Sequence, residues 1–259
     1  MATGTTRNAM PRFGPWGTAC AVLVAIGITA SMDANGLSEY SAPPLLPLAV
    51  LFWLLERHSR QDMGIAQGRA PDYLLAIAHP VLVLGACAAG ARFAGAADFT
   101  IVEWDRAVRD FAIMAGATIP AALLTEEGFF RGWLVASLRR KGLTTRGILA
   151  WSSIAFSLWH VSAVTLPTGF DLPPARIPVF LLNAAVIGAI WGWMRLRSGS
   201  ILVASVSHGL WNGGAYVVFG FGQKSGALGV ADAGIFGPES GLVGLALNVA
   251  FLALLLSRR

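Results

Sequence analysis

The stretch "LLTEEGFFRGWL", Leu123 to Leu134, sets two adjacent carboxylates, Glu126 and Glu127, and the guanidinium of Arg131 into a run that is otherwise apolar. Apolar residues lead into it from Ala107, so the run reads as a helix crossing lipid. Ionisable groups at that depth are costly and face a protein interior or a water-filled cavity. These three residues therefore mark the place where function is sought first.

The surrounding sequence supports the lipid reading. Of 259 residues, 55% are apolar and 13% charged, with a mean hydropathy of +0.63, well above a soluble domain. A span needs about 20 residues. Runs approaching that length occur near Gly17–Ser31, Pro44–Leu55, Asp72–Ala91, Ala107–Leu124, Gly147–Leu166, Ile177–Met194, Ile201–Phe219 and Gly241–Leu256. The sequence thus predicts an all-α polytopic membrane bundle of about eight helices. The second run is short and begins in the Pro-rich "SAPPLLPLAV", so its start is open.

The basic residues fit topology better than nucleic-acid binding, because they sit in short connections and form no continuous patch. With the N-terminus inside, thirteen fall on the inner side: Arg7, Arg12, Arg57, Arg60, Arg69, Arg139, Arg140, Lys141, Arg146, Arg195, Arg197, Arg258 and Arg259. The outer side receives five: Arg92, Arg106, Arg109, Arg176 and Lys224. This asymmetry places both termini in the cytoplasm. The first run could alternatively be a signal peptide, as Arg7 and Arg12 precede an apolar core ending in small residues. Cys20 and Cys87 lie in apolar runs without metal spacing, which excludes a disulfide framework. No hydrophilic domain or long linker interrupts the chain, so residues 1–259 read as one membrane domain with its core at about 107–219. The Gly-rich connection "GFGQKSGALGVADAGIFGPESG" reads as a mobile outer loop, and "GAIWG", Gly188 to Gly192, has spacing for close helix approach.

Polar residues recur at matching depth. At 1.5 Å per residue from the nearest inner basic cluster, Glu127 lies about 18 Å in, His160 about 21 Å, His208 about 16 Å and Asn212 about 22 Å. Three separate helices thus bring polar groups into one layer near mid-membrane. Glu127 and Arg131 are four apart and can pair on one face, as can His208 and Asn212, while Phe156 stands one turn before His160. Taken alone, Glu127 and Arg131 could be a structural ion pair, and a single membrane His could be a packing residue. His58 reads as a residue of the basic inner loop, and His79, before Pro80, as support for a kinked backbone. Asn183 and Asn248 read as amides bonding between helices, and Trp151, Trp159, Trp191, Trp193 and Trp211 as packing or interface anchors.

A carboxylate beside an imidazole can hold and deprotonate water. A second imidazole and an amide can stabilise an oxyanion. Together these groups suit attack of water on a carbonyl. Two His and one Glu could instead bind zinc, although H-E-x-x-H spacing is absent, and no motif places a nucleophilic Ser or Cys or a phosphate-binding loop.

"EEGFFRG" (Glu126 to Gly132), "FSLWH" (Phe156 to His160) and "HGLWN" (His208 to Asn212) resemble, in order and spacing, the E-E-x-x-x-R, F-x-x-x-H and H-x-x-x-N motifs of the CPBP family, and "RSGSIL" (Arg197 to Leu202) looks similar too. That family comprises type II CAAX prenyl endopeptidases and bacterial bacteriocin-processing and self-immunity proteins. The resemblance covers about Leu123 to Gly213. It implies an eight-helix intramembrane endopeptidase in which Glu126 is general base on the catalytic water, His160 helps hold that water, His208 and Asn212 form the oxyanion site, and Glu127 and Arg131 support the first Glu. Glu127 is the alternative base. The family has been described both with and without metal. A metal-free glutamate mechanism is the expectation, and zinc would take Glu126, His160 and His208.

The expected substrate is a membrane-associated or C-terminally tailed protein in a bacterial cytoplasmic membrane, with no nucleic-acid partner. A non-enzymatic immunity or binding protein using the same cavity is the competing expectation. A proton-coupled transporter would use the same groups as relays, but the polar motifs have no counterpart in the first half of the chain.

Overall fold

The computed structural model describes residues 14, 16–222 and 224–257. Arg7, Arg12, Arg258 and Arg259, which enter the topology expectation, lie outside these. The protein is a helical bundle: α1 (Gly17–Ala34), α2 (Leu45–Glu56), α3 (Ala70–Phe93), α4 (Trp104–Leu124), a π-helical segment (Glu127–Leu134) that runs into α5 (Val135–Arg140), α6 (Thr145–Trp159), α7 (Val161–Thr165), α8 (Ile177–Ser198), α9 (Ile201–Gly214) with a π-helical end (Ala215–Phe219), α10 (Ala233–Phe236) and α11 (Leu242–Ser257). Each of the eight expected runs is helical. Five stretches among the described residues are long and apolar enough to cross a membrane: Gly17–Ala34, Ala70–Phe93, Trp104–Arg140, Thr145–Thr165 and Pro174–Ser198. Helix α11 has 16 residues and α2 has 12, or about 18 Å for α2 at 1.5 Å per residue. The run after Ala107 extends well past Leu124, to Arg140.

Local chemistry sets the boundaries. Thr144 and Ser200 begin α6 and α9 by accepting backbone N–H bonds from Gly147 and Leu202, which satisfies free helix-start donors. Gly199, at φ +73°, ends α8 in the left-handed cap that glycine adopts without strain. Arg197 and Arg69 both reach Asp72, at 3.3 and 3.4 Å, joining the C-terminal end of α8 to the N-terminal end of α3.

Small residues let the site-bearing helices approach. A Cβ at Gly209 of α9 would lie 2.4 Å from the Ile119 side chain and 2.8 Å from its backbone nitrogen on α4. Gly188 and Gly192 of α8 face α6, where an added Cβ would lie 3.2 Å from Phe156 and 3.0 Å from Leu149. This is the close approach expected from "GAIWG". The core around the π-helical segment is aromatic: Phe129, Phe130 and Trp133 are fully buried and stack edge-on or tilted with Phe52, Phe156 and Trp159.

His58 lies in the loop after α2, as read from the sequence, and is buried there: its Nε2 pairs with Glu56 at 2.6 Å, and Glu56 also accepts from Trp133 Nε1 at 3.1 Å and from Ser137. Two expectations are corrected. His79 supports no kinked backbone; its side chain bonds Ser207 and Asn248, at 3.1 and 3.0 Å. The Gly-rich connection, expected to be mobile, contains a hairpin of two-residue strands, Gly220–Phe221 with Lys224–Ser225, then α10, and its Pro238 and Glu239 carbonyls accept from Asn183 at 2.7 and 3.0 Å. Buried amides satisfy that backbone, so it is built into the bundle.

Candidate active site

The π-helical geometry separates the two adjacent carboxylates. Glu127 is fully buried behind the cavity wall, whereas Glu126, at the start of the segment, lines a cavity. Wide turns of this kind recur at functional sites, where they redirect side chains. The turn also leaves backbone groups needing partners, and the buried Arg195 donates to the Arg131 carbonyl at 3.2 Å and to the Asp62 carbonyl at 2.7 Å. Gly64, at φ +73°, packs so close that a Cβ would lie 2.1 Å from the Arg195 Nε.

Glu127 is the hub behind the cavity. Its Oε1 lies 3.2 Å from Arg131 and 3.0 Å from His208 Nδ1. This is the expected pairing four residues apart, with His208 added from α9. Arg131 is wholly buried, reaches the Gly188 carbonyl at 3.3 Å and lies 4.1 Å above the Phe156 ring. A buried pair held this way keeps its charges only because each has partners.

The cavity, about 90 Å³, is lined by Glu126, Phe156, His160, His208 and Asn212, with Trp191, Trp211, Tyr216 and Glu239 completing it. Four of the six expected site residues therefore share one space, and Glu127 and Arg131 stand behind it. His160 interrupts its span between α6 and α7, and its Nδ1 lies 2.8 Å from the Phe156 carbonyl. Since a carbonyl only accepts, that nitrogen carries the hydrogen and Nε2 is an acceptor in the neutral ring. His208 Nδ1–H is likewise engaged by Glu127, so its Nε2, 3.8 Å from Glu126 Oε2, accepts in the neutral ring and donates only in the imidazolium. Trp191 stacks on His208 with centroids 4.1 Å apart and planes 16° apart. Among the described residues the Asn212 side chain makes no hydrogen bond, so its amide is free to face a ligand. No group of three or more His, Cys, Asp or Glu among the described residues converges as metal ligands. Glu126, His160 and His208 do not form such a group.

Sequence reasoning missed Glu239, Trp191 and Trp211. In sequence Glu239 is one acid of the Gly-rich connection. It lies outside the helices yet lines the cavity, and its Oε1 accepts from Trp211 Nε1 at 3.2 Å. Burial pushes its carboxyl up to about 7, against the opposing pull of Trp211 and His208. A larger groove of about 410 Å³ lies elsewhere, beside α2 and the start of the π-helical segment, but its walls are almost wholly apolar and offer no reacting group.

No curated protein and no solved structure matches the chain. Residues 109–214, the segment that carries all three motifs, match the family described as Type II CAAX prenyl endopeptidase Rce1-like.

Proposed function

We propose that this protein is an intramembrane endopeptidase that cleaves a membrane-associated or C-terminally tailed protein by activating water on Glu126, without metal. The observation that carries this reading is the shared cavity of Glu126, His160, His208 and Asn212, drawn from three separate helices. Structural ion pairing alone gives no reason for an unbonded amide and an extra carboxylate in the same space.

Water bound between Glu126 and His160 gives one proton to the Glu126 carboxylate while its other hydrogen rests on His160 Nε2. The oxygen attacks the substrate carbonyl. Asn212 Nδ2–H and, in the imidazolium form, His208 Nε2–H then donate to the oxyanion. Glu127 holds His208 through Nδ1, and Arg131 neutralises Glu127. Glu126 is the base in this reading, because Glu127 is already shared between Arg131 and His208. We further read the chain as eight spans with both termini in the cytoplasm of a bacterium, two of the spans being short.

The test is cleavage of a panel of single-span reporters with C-terminal tails, together with a prenylated peptide ending in C-a-a-X, by wild type, Glu126→Gln and His160→Ala at matched expression. Cleavage by wild type and its loss in both variants is expected, with chelator leaving the wild-type rate unchanged. A protein that protects or binds a partner equally well in all three forms, and cleaves nothing, is the immunity protein instead.

A further inference from the structure

Glu239 reaches the cavity through a dedicated support. A chain of hydrogen bonds runs from Trp191 Nε1 to Ser207 Oγ (3.2 Å), on to His79 (3.1 Å), Asn248 (3.0 Å) and Asn183 (3.0 Å), ending on the Pro238 and Glu239 carbonyls. Every donor in it finds an acceptor when His79 carries its hydrogen on Nε2. Such complete buried networks fix one arrangement of the backbone they end on. The backbone leaves no slack either: a Cβ at Gly241 would lie 2.5 Å from the Gly237 carbonyl, and one at Gly237 2.4 Å from that of Ala233. Trp211, which bonds the Glu239 carboxyl, is stacked flat on His79 of the same network, centroids 5.1 Å apart.

This construction holds a carboxyl where an apolar side chain would fill the same volume at less cost. The groups facing it are His208, His160, Tyr216 and Glu126 across the cavity, and Asp171, Arg176 and Lys224, which line a vestibule of about 280 Å³ that Glu239 also borders. The helices behind it contribute the neutral Asn183 and Asn248. Burial raises the Glu239 carboxyl to about 7, so a proton donor stands in the same cavity as Glu126.

Resting on the hydrolytic reading above, we propose that Glu239 is a second catalytic carboxyl, the acid that protonates the departing amide nitrogen. Water loses a proton to Glu126 as its oxygen bonds the carbonyl carbon. The C–N bond then breaks with its electron pair on nitrogen, which takes the Glu239 proton. Cavity water returns the proton from Glu126 to Glu239, and the products leave as carboxylic acid and amine. No other reactant is consumed.

The experiment compares purified full-length wild type, Glu126→Gln, Glu239→Gln and Glu239→Asp on a reporter from the tailed panel, with an infrared titration of the protonated-carboxyl band on the same samples. Gln retains an oxygen for Trp211, so the fold is expected to persist. The proposal expects kcat of Glu239→Gln to fall about 10²–10⁴-fold with KM unchanged, the alkaline limb of the kcat profile to vanish, and Glu239→Asp to recover part of the rate. It also expects a carboxyl band that titrates near pH 7 in wild type and Glu126→Gln and is missing in Glu239→Gln. A wild-type kcat in Glu239→Gln while Glu126→Gln is inactive overturns this role alone. Absence of the titrating band in wild type overturns it even where Glu239→Gln fails to fold. A wild type that cleaves no reporter overturns the hydrolytic reading and this one with it.

Discussion

Glu127 and His208 share a 3.0 Å hydrogen bond behind the cavity, while Glu126, one residue earlier, stands 3.8 Å from the other nitrogen of the same ring. One imidazole therefore divides two adjacent carboxylates into a fixed partner and a cavity-facing one. The division makes the two glutamates respond differently to the same substitution.

Glu126→Gln is expected to lower turnover about 10²–10⁴-fold with little change in melting. Glu127→Gln leaves the fully buried Arg131 without its counter-charge, which costs about 3–5 kcal/mol. Turnover and melting in detergent, measured together, check this. Equal melting of the two variants would contradict the assignment.

The contact between α4 and α9 brings His208 to the segment carrying Glu126. Gly209→Ala puts a methyl 2.4 Å from Ile119, and such overpacking costs about 1–3 kcal/mol. Early melting together with lost turnover is expected. Gly27→Ala, whose Cβ meets nothing within 4 Å, is the control and should match wild type.

Glu239 makes stability depend on pH in a direction opposite to that of a salt-bridged acid. Its carboxyl ordinarily titrates near 4.5 and in the fold near 7. Between these values the folded state holds more protons than the unfolded one. The contribution is therefore full below about 4.5 and is lost as pH rises through about 7. Melting temperature should fall across that window in wild type, and less so in Glu239→Gln. The same slope in both proteins would remove Glu239 as its source.

The buried cluster on Glu56 joins the end of α2 to the π-helical segment and α5 through Trp133 and Ser137. Glu56→Ala leaves Trp133 Nε1 without its acceptor and Ser137 and His58 with only each other, at 3.4 Å, and a buried group left unsatisfied costs about 1–3 kcal/mol. Glu56→Gln, which keeps an acceptor, should recover most of the melting temperature. No difference between Ala and Gln would mean that packing alone holds this junction.

Much of the bundle was legible because apolar run length reports lipid directly, and each of the eight runs is helical. That Glu126, His160, His208 and Asn212 would share one space, with Glu127 and Arg131 paired beside it, was legible because polar groups inside such runs stand out. The π-helical turn was not: "EEGFFRGWL" fits an α-helix equally well, and the wider turn depends on tertiary partners such as Arg195 from α8. Glu239 was hidden for a related reason. In sequence it is one acid in a Gly-rich connection, and bonds from distant residues, Asn183 and Trp211, hold that connection at the cavity. The two amides inside apolar runs, Asn183 and Asn248, were the available signal, and they bond to each other at 3.0 Å.

The central claim, that Glu126 activates the water that cuts the substrate, is tested most directly by cleaving a tailed membrane reporter in oxygen-18 water and weighing the newly formed carboxyl terminus. The account predicts one solvent oxygen in that carboxylate for wild type and no product from Glu126→Gln. Cleavage by Glu126→Gln at the wild-type rate would contradict it.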